Sequence, residues 1–257
     1  MTILQTIILG IVEGVTEFLP ISSTGHLMLA SRLMNIADTD FLKSFEIIIQ
    51  FGAILAVVVL YWKRLVSHLD IWKKIMVAFL PTAIVGFLLY KVLKHYLLSN
   101  DAIVLWAMAL GGVALILFEK WHVRRTHQAQ PLTLKNSFWI GLAQSVAIIP
   151  GVSRSAATIV GGMLAGISRE TIVEFSFLLA IPTMAAASGY DLLKSGAHFS
   201  GSQFGLLAIG FVVSFIVALL AIKWFIGFIK HHTFTWFGVY RIAAAIIFWL
   251  FIFWFKV

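Results

Sequence analysis

Residues 10–26 read GIVEGVTEFLPISSTGH. The run opens as an apolar helix that carries two carboxylates, Glu13 and Glu17, and their four-residue spacing puts both on one helical face. Pro20 then stops the helix. Ser22, Ser23, Thr24 and Gly25 follow, small residues suited to a turn and a helix N-cap. His26 closes the run. Two acids, three hydroxyls, an adaptable backbone and an imidazole in one short stretch are the makings of a reactive site. The proline beside them makes that site the tip of a broken helix.

The chain around this stretch is apolar. Of 257 residues, 61% are hydrophobic and 12% charged, whereas soluble domains run roughly 45–50% apolar and ~25% charged. These proportions indicate an all-α polytopic membrane protein lying in the bilayer as one domain over residues 1–257. No basic region precedes the first apolar run, so no cleaved signal peptide is expected. The absence of cysteine excludes disulfides and a thiolate metal site. The net charge of +8 comes from basic residues in short loops, the pattern of cytoplasmic loops, and not from a nucleic-acid surface.

Read in order, residues 1–19 form a helix broken at Pro20, and 25–34 a second short one. Spans follow at 45–62, 75–93 and 102–118, with a basic loop at 63–74 and the longest polar loop, holding Lys120, Arg124, Arg125 and Lys135, at 119–136. Residues 138–149 make a helix of about 12 residues, or ~18 Å, too short for the ~30 Å hydrocarbon core. Pro150 and Gly151 break it, VSRSAAT follows, and 159–165 returns before spans at 174–193, 205–229 and 236–255. The two broken stretches align: GIVEGVTEFLPISS (10–23) matches GLAQSVAIIPGVSR (141–154), pairing Gly10 with Gly141, Glu13 with Gln144 and Ser22 with Ser153. Lys63 after the first span likewise matches Lys194 after the fourth.

The halves, about 1–120 and 136–257, thus each read as a broken re-entrant helix hairpin plus three transmembrane helices. Such a unit crosses the membrane an odd number of times, so the halves form an inverted repeat. The basic loops place 63–74 and 119–136 in the cytoplasm and both termini outside. The first hairpin dips in from outside and the second from the cytoplasm, so their polar tips meet near the midplane, where irregular backbone must be buried or line a wet cavity.

The second tip offers Ser153, Arg154, Ser155 and Thr158. Hydroxyls around an arginine at a helix start make an anion site, since N–H groups and the helix dipole favour negative charge and guanidinium grips phosphate oxygens in pairs. Glu13 and Glu17 would repel that anion unless a divalent metal, Mg²⁺ or Ca²⁺, bridges them to it, or burial keeps one of them protonated. His26, three residues after Ser23, is placed to act as base or proton donor. Gln144, the counterpart of Glu13, joins Ser22, Thr24, Ser153, Arg154, Ser155 and Thr158 as phosphate-binding candidates. The set suits phosphoryl transfer, with a hydroxyl or water attacking in line while metal and arginine take up charge. In a chain without an aqueous domain the phosphate should arrive on a lipid.

Four stretches, EGVTEFLPISSTGH (13–26), PGVSRSAAT (150–158), FEIIIQFGAILAV (45–57) and EFSFLLAIP (174–182), resemble the undecaprenyl-pyrophosphate phosphatases linked to bacitracin resistance. The resemblance spans nearly the whole chain. It implies hydrolysis of undecaprenyl pyrophosphate to the monophosphate, recycling the lipid carrier of cell-wall precursors in a bacterial inner membrane. It also implies a metal-dependent enzyme, an inverted-repeat fold and a homodimer. Glu13, Glu17, Ser22, Ser23, His26, Ser153, Arg154 and Ser155 carry over as site residues, with Ser23 the favoured nucleophile and water the alternative, and the site is expected to open to the periplasmic side. The second reading is a transporter: inverted repeats with broken helices meeting at the midplane are a transporter plan, and a lipid-phosphate flippase needs a similar anion site. It would need no nucleophile or base. A structural membrane subunit, the third reading, leaves charges at mid-membrane without a use.

Overall fold

The computed structural model describes residues 1–92, 100–122, 129–195 and 200–255, which are helical with no strand among them. Arg124 and Arg125, and the side chain of Lys194, lie outside the described residues. One order of lengths occurs twice. Helices α1 (Ile3–Thr16) and α2 (Ser23–Leu33) are short; α3 (Asp40–Leu60) is long, a six-residue α4 (Trp62–Ser67) sits in the basic turn, and α5 (Leu69–Val92) and α6 (Asp101–His122) are long. Then α7 (Leu134–Gln144), extended by a 3₁₀ turn over Ser145–Ile148, and α8 (Arg154–Leu164) are short, while α9 (Arg169–Ser195), α10 (Gly201–Ile229) and α11 (Thr235–Phe255) are long. The six long apolar helices have the length and composition to cross a membrane. The four short ones, at 11 or 14 residues, do not: at ~1.5 Å per residue they reach only about 16–21 Å.

Local chemistry sets the ends of the short helices. Pro20 has no N–H to return to the Thr16 carbonyl, and α1 ends at Thr16. Ser153 Oγ accepts from the Ala156 N–H at 3.1 Å and Ser22 Oγ accepts from the Gly25 N–H at 3.5 Å. These caps start α8 at Arg154 and α2 at Ser23, earlier than the expected 159 and 25. Ser23 and Arg154 therefore hold the same first position on the two return helices. Elsewhere the expected spans are found with their ends shifted by a few residues.

α1 packs on α10 and α2, α3 on α10 and α9, α7 on α5 and α8, α9 on α5 and α8, and α6 on α11. Small residues allow the closest of these approaches. A Cβ on Gly14 would lie 2.8 Å from the Ser214 carbonyl oxygen, so α1 and α10 meet backbone to backbone. Beneath the first tip, Phe18 meets Phe177 edge-on at 5.4 Å, and Phe177 leads on to Phe225 and Phe234 in the buried core.

Ion pairs tie the helix ends into two sets. Arg32, in the last turn of α2, meets Asp101 at the start of α6 at 2.8 Å. At the far end of α6, buried Glu119 accepts from Arg169 of α9 with both oxygens at 2.9 Å, and one of them also accepts the Phe234 N–H at 2.9 Å. Arg64 of α4 pairs with Glu174 of α9. The return helix α2 thus ends at the start of α6, and α9, which follows α8, begins at its far end.

Candidate functional site

The tips of the two broken hairpins are in direct contact. Ser155 Oγ donates to the Phe18 carbonyl at 2.8 Å and Ser153 Oγ to the Leu19 carbonyl at 3.4 Å. Arg154 spans the junction: one terminal nitrogen donates to the Ser176 carbonyl of α9 at 2.9 Å, the other to Glu17 Oε1 at 3.0 Å. The second Glu17 oxygen, Oε2, accepts from Ser23 Oγ at 2.6 Å. Glu17 is 6% exposed, Ser23 half-buried and Thr24 exposed. One carboxylate, nearly dry, therefore joins the arginine of one tip to the half-buried hydroxyl of the other.

His26 is close by but bonds elsewhere. Its Nδ1 lies 2.7 Å from the Ser22 carbonyl, which can only accept, so Nδ1 carries the proton. Its Nε2 lies 2.8 Å from the Tyr240 hydroxyl of α11, within hydrogen-bond distance, and the two rings are stacked. Ser23 donates to Glu17 and not to the imidazole. The Ser22 backbone has φ +74°, a conformation unusual for a residue with a side chain, and it aims the carbonyl at His26.

The remaining candidates sort by what they already bond. Ser153 and Ser155 fasten their tip to the other one. Thr158 and Gln144 are fully buried. The Gln144 amide donates to Thr82 at 2.9 Å and Thr183 at 3.3 Å, while its oxygen accepts from Thr158 at 3.1 Å. A phosphate would have to displace these bonds to reach either residue. Glu13, at the matching position of the first half, is equally buried, yet neither of its oxygens has a hydrogen-bond partner among the described residues. Arg154 Nε and Ser176 Oγ are likewise buried and without a hydrogen-bond partner among the described residues.

Sequence reading missed Ser176, Tyr240 and Arg241. Ser176 lies in the quoted EFSFLLAIP stretch, and an intramembrane arginine next to a tyrosine on the last span was a visible signal for the other two. Arg241 is 1% exposed and donates to the carbonyls of Met108, Ala107 and Gly151 at 3.1 Å each and of Pro20 at 3.4 Å.

No group of three or more acidic or histidine side chains gathers as a ready metal cage among the described residues. The donor set nonetheless fits a hard divalent cation that shares its shell with phosphate. Two carboxylates one helical turn apart face the site, and one of them is buried with both oxygens unbonded.

Comparison with known proteins adds a family. A family model described as bacitracin resistance protein BacA matches residues 6–247. An undecaprenyl-diphosphatase of Aquifex aeolicus is 52% identical over 250 residues, covering 96% of this chain and 98% of the relative. Undecaprenyl-diphosphatases of Bdellovibrio bacteriovorus and Persephonella marina are each 50% identical, over 96% and 98% of this chain and 95% and 100% of the relatives.

Proposed function

The chain belongs to the bacitracin resistance protein BacA family, and from that premise we propose that it is a multi-pass membrane undecaprenyl-diphosphatase whose two hairpin tips form the active site. It hydrolyses undecaprenyl pyrophosphate to undecaprenyl phosphate and inorganic phosphate, an activity that serves cell-wall synthesis, and the family name ties it to bacitracin resistance. The observation that carries the site is the short bond from Ser23 Oγ to Glu17 Oε2, with Arg154 on the other oxygen. A nucleophile and a base are already paired there beside a cation, which a carrier of lipid phosphate does not need.

In the first step Ser23 Oγ attacks the terminal phosphorus and its proton passes to Glu17. The bond from that phosphorus to the bridging oxygen breaks, and undecaprenyl phosphate leaves with the electron pair. Water then adds its oxygen to the phosphorus and the bond to Ser23 breaks. Glu17 returns its proton to Ser23, and inorganic phosphate leaves with the water oxygen and both water protons. Arg154, at the first position of α8, offers its planar fork to the phosphate oxygens, with Thr24 and the N–H groups at the start of α2 as further donors. His26 acts through Ser22, holding the backbone turn that presents Ser23. A divalent metal, Mg²⁺ or Ca²⁺, would be held by Glu13 and Glu17 and would neutralise phosphate charge as it is redistributed.

Several features support an inverted repeat with re-entrant hairpins. The return helix α2 ends at the start of α6, whereas α9, which follows the return helix α8, begins at its far end. Exchanging the helices of the halves turns the α1–α10 contact into α7–α5 and α1–α2 into α7–α8, and leaves α3–α9 and α6–α11 as self-paired contacts on the axis. The end that holds Glu119 also gathers Lys63, Arg64, Lys120 and Lys230, the mark of a cytoplasmic face. The first hairpin then enters from the periplasmic side of a bacterial inner membrane and its mouth opens there. A homodimer is part of the proposal.

The test is release of phosphate from undecaprenyl pyrophosphate by the purified protein in detergent, with and without chelator. Turnover that stops in chelator, and that Glu13→Gln abolishes, supports both enzyme and metal. Full turnover in chelator removes the metal and leaves the Ser23–Glu17 pair, and no release at all removes the phosphatase.

A further inference from the structure

We infer that Arg241 of α11 is a positioning residue that sets how the two tips stand against each other. The inference rests on the reading of those tips as the phosphatase site. Four hydrogen bonds leave this guanidinium, all to main-chain carbonyls, and they come from three separate pieces of the chain. Ala107 and Met108 belong to α6, while Pro20 and Gly151 are the breaks of the first and second hairpins. A broken helix leaves carbonyls without the N–H that would otherwise close them. One planar cation with five donors in a fixed fork can answer carbonyls from both breaks at once, and an ammonium cannot do so over the same spread.

The burial of Arg241 argues against a mere packing role. At 1% exposure it has given up its water, and no carboxylate pairs with it among the described residues. An isolated buried charge is costly, and an apolar side chain of similar size would pack α11 on α6 without that cost. The seat is shaped for the guanidinium as well. A Cβ on Gly111 of α6 would run into it, and one on Gly112 would lie 2.7 Å from the Gly238 carbonyl oxygen of α11. α6 and α11 therefore form a platform from which one side chain reaches both breaks. The preceding residue, Tyr240, bonds His26 from the same helix. The bonds that define the site, Arg154 to Glu17 and Ser23 to Glu17, cross or adjoin the seam that Arg241 spans.

The experiment uses the full chain in detergent, with the variants Arg241→Lys, Arg241→Gln and Gly111→Ala. Hydrogen exchange is followed in the peptides covering 17–27 and 149–158 and in those of α6 and α11, beside melting temperature and the kinetic constants on undecaprenyl pyrophosphate. Loss of the fork should loosen both peptides together. It should lower kcat by about 10²-fold, the scale of a misplaced catalytic group, with KM changed little and the melting temperature lowered by the carbonyls left unpaired. Gly111→Ala, which touches neither tip and only displaces the guanidinium, should do the same. Unchanged exchange in both tips with wild-type turnover in a folded Arg241→Lys overturns the inference, as does loosening confined to α6 and α11. If the Arg241 variants do not fold, Gly111→Ala decides: paired loosening supports the inference, and unmoved tips overturn it. Paired loosening in a chain whose wild type releases no phosphate leaves the clamp standing and removes the phosphatase reading alone.

Discussion

At Glu17 two demands meet on one carboxylate: it holds Arg154 with one oxygen and Ser23 with the other. Replacing it by glutamine keeps the shape but leaves the serine without a base and the arginine without a charge partner. Glu17→Gln should therefore lose 10²-fold or more of turnover, the range of a positioned base. Ser23→Ala should fall to background while Ser22→Ala, which loses a long cap bond, falls less. Mass spectrometry of rapidly quenched protein should find phosphate on the peptide containing Ser23, and robust turnover by Ser23→Ala would make water the attacking group. The acids, the serines and the arginine were legible in the sequence because polar residues in an apolar chain stand out. Their bonding was not. Ser23 and His26, one turn apart, suggest a serine–histidine pair, but Tyr240, 214 residues away in sequence, takes the imidazole nitrogen that would have served. Tyr240→Phe keeps the stacked ring and deletes only that bond, so it should slow turnover by roughly 10-fold, within the effect of a lost hydrogen bond to a functional group. If the tyrosine works through His26, the loss in Tyr240→Phe/His26→Gln should equal that of His26→Gln alone. Additive losses would separate the two.

Among the elements, the broken helices were readable from Pro20 and Pro150, since a proline removes the N–H that a helix needs. The start of each return helix was misjudged because serines at 22 and 153 act as caps, and a cap is a conformation more than a composition. The alignment of the halves pairs Glu13 with Gln144, and their tertiary neighbours differ. Thr82, Thr158 and Thr183 satisfy the glutamine, and among the described residues no hydrogen-bond partner meets the glutamate. Gln144→Leu should lower the melting temperature, because it removes the hydrogen bonds that join Thr82, Thr158 and Thr183 through one buried amide. Glu13→Gln should leave it unchanged or raise it, because Glu13 has no hydrogen bond among the described residues to lose. The reverse order would make Glu13 the packing residue. Gly151 marks where the second break is most constrained: its φ of +90° suits glycine, and a Cβ there would overlap the Val104 carbonyl oxygen. Gly151→Ala should cost about 2 kcal/mol or more, from the left-handed backbone and the overlap together. Thermal unfolding of the variant beside the wild type measures it.

Taken as a whole, the molecule is asymmetric in charge and repeats one order of helix lengths, and each property bears on orientation. Two short-short-long-long-long halves with tips in contact could be laid into a membrane either way up. The distribution of lysines and arginines favours one of the two. Around Glu119 the helix ends carry Lys63, Arg64, Lys120, Arg169 and Lys230, while the opposite end, where Arg32 meets Asp101, carries Asp38 and Asp40. Positively charged ends stay in the cytoplasm. The turn between α10 and α11 should then be cytoplasmic and the turn between α2 and α3 periplasmic. Ala37 and His231 are exposed in those turns, and the chain has no native cysteine to confuse a label. In intact cells, Ala37→Cys should react with a membrane-impermeant maleimide and His231→Cys should not. In inverted vesicles the pattern should exchange. A parallel repeat could not give that result, because α2 and α8 would then leave their tips toward the same side. Labelling of both positions from one side would break the inverted arrangement. Labelling of His231→Cys alone in intact cells would keep the arrangement and turn it over, so that the Ser23 mouth faced the cytoplasm and the substrate had to be met there.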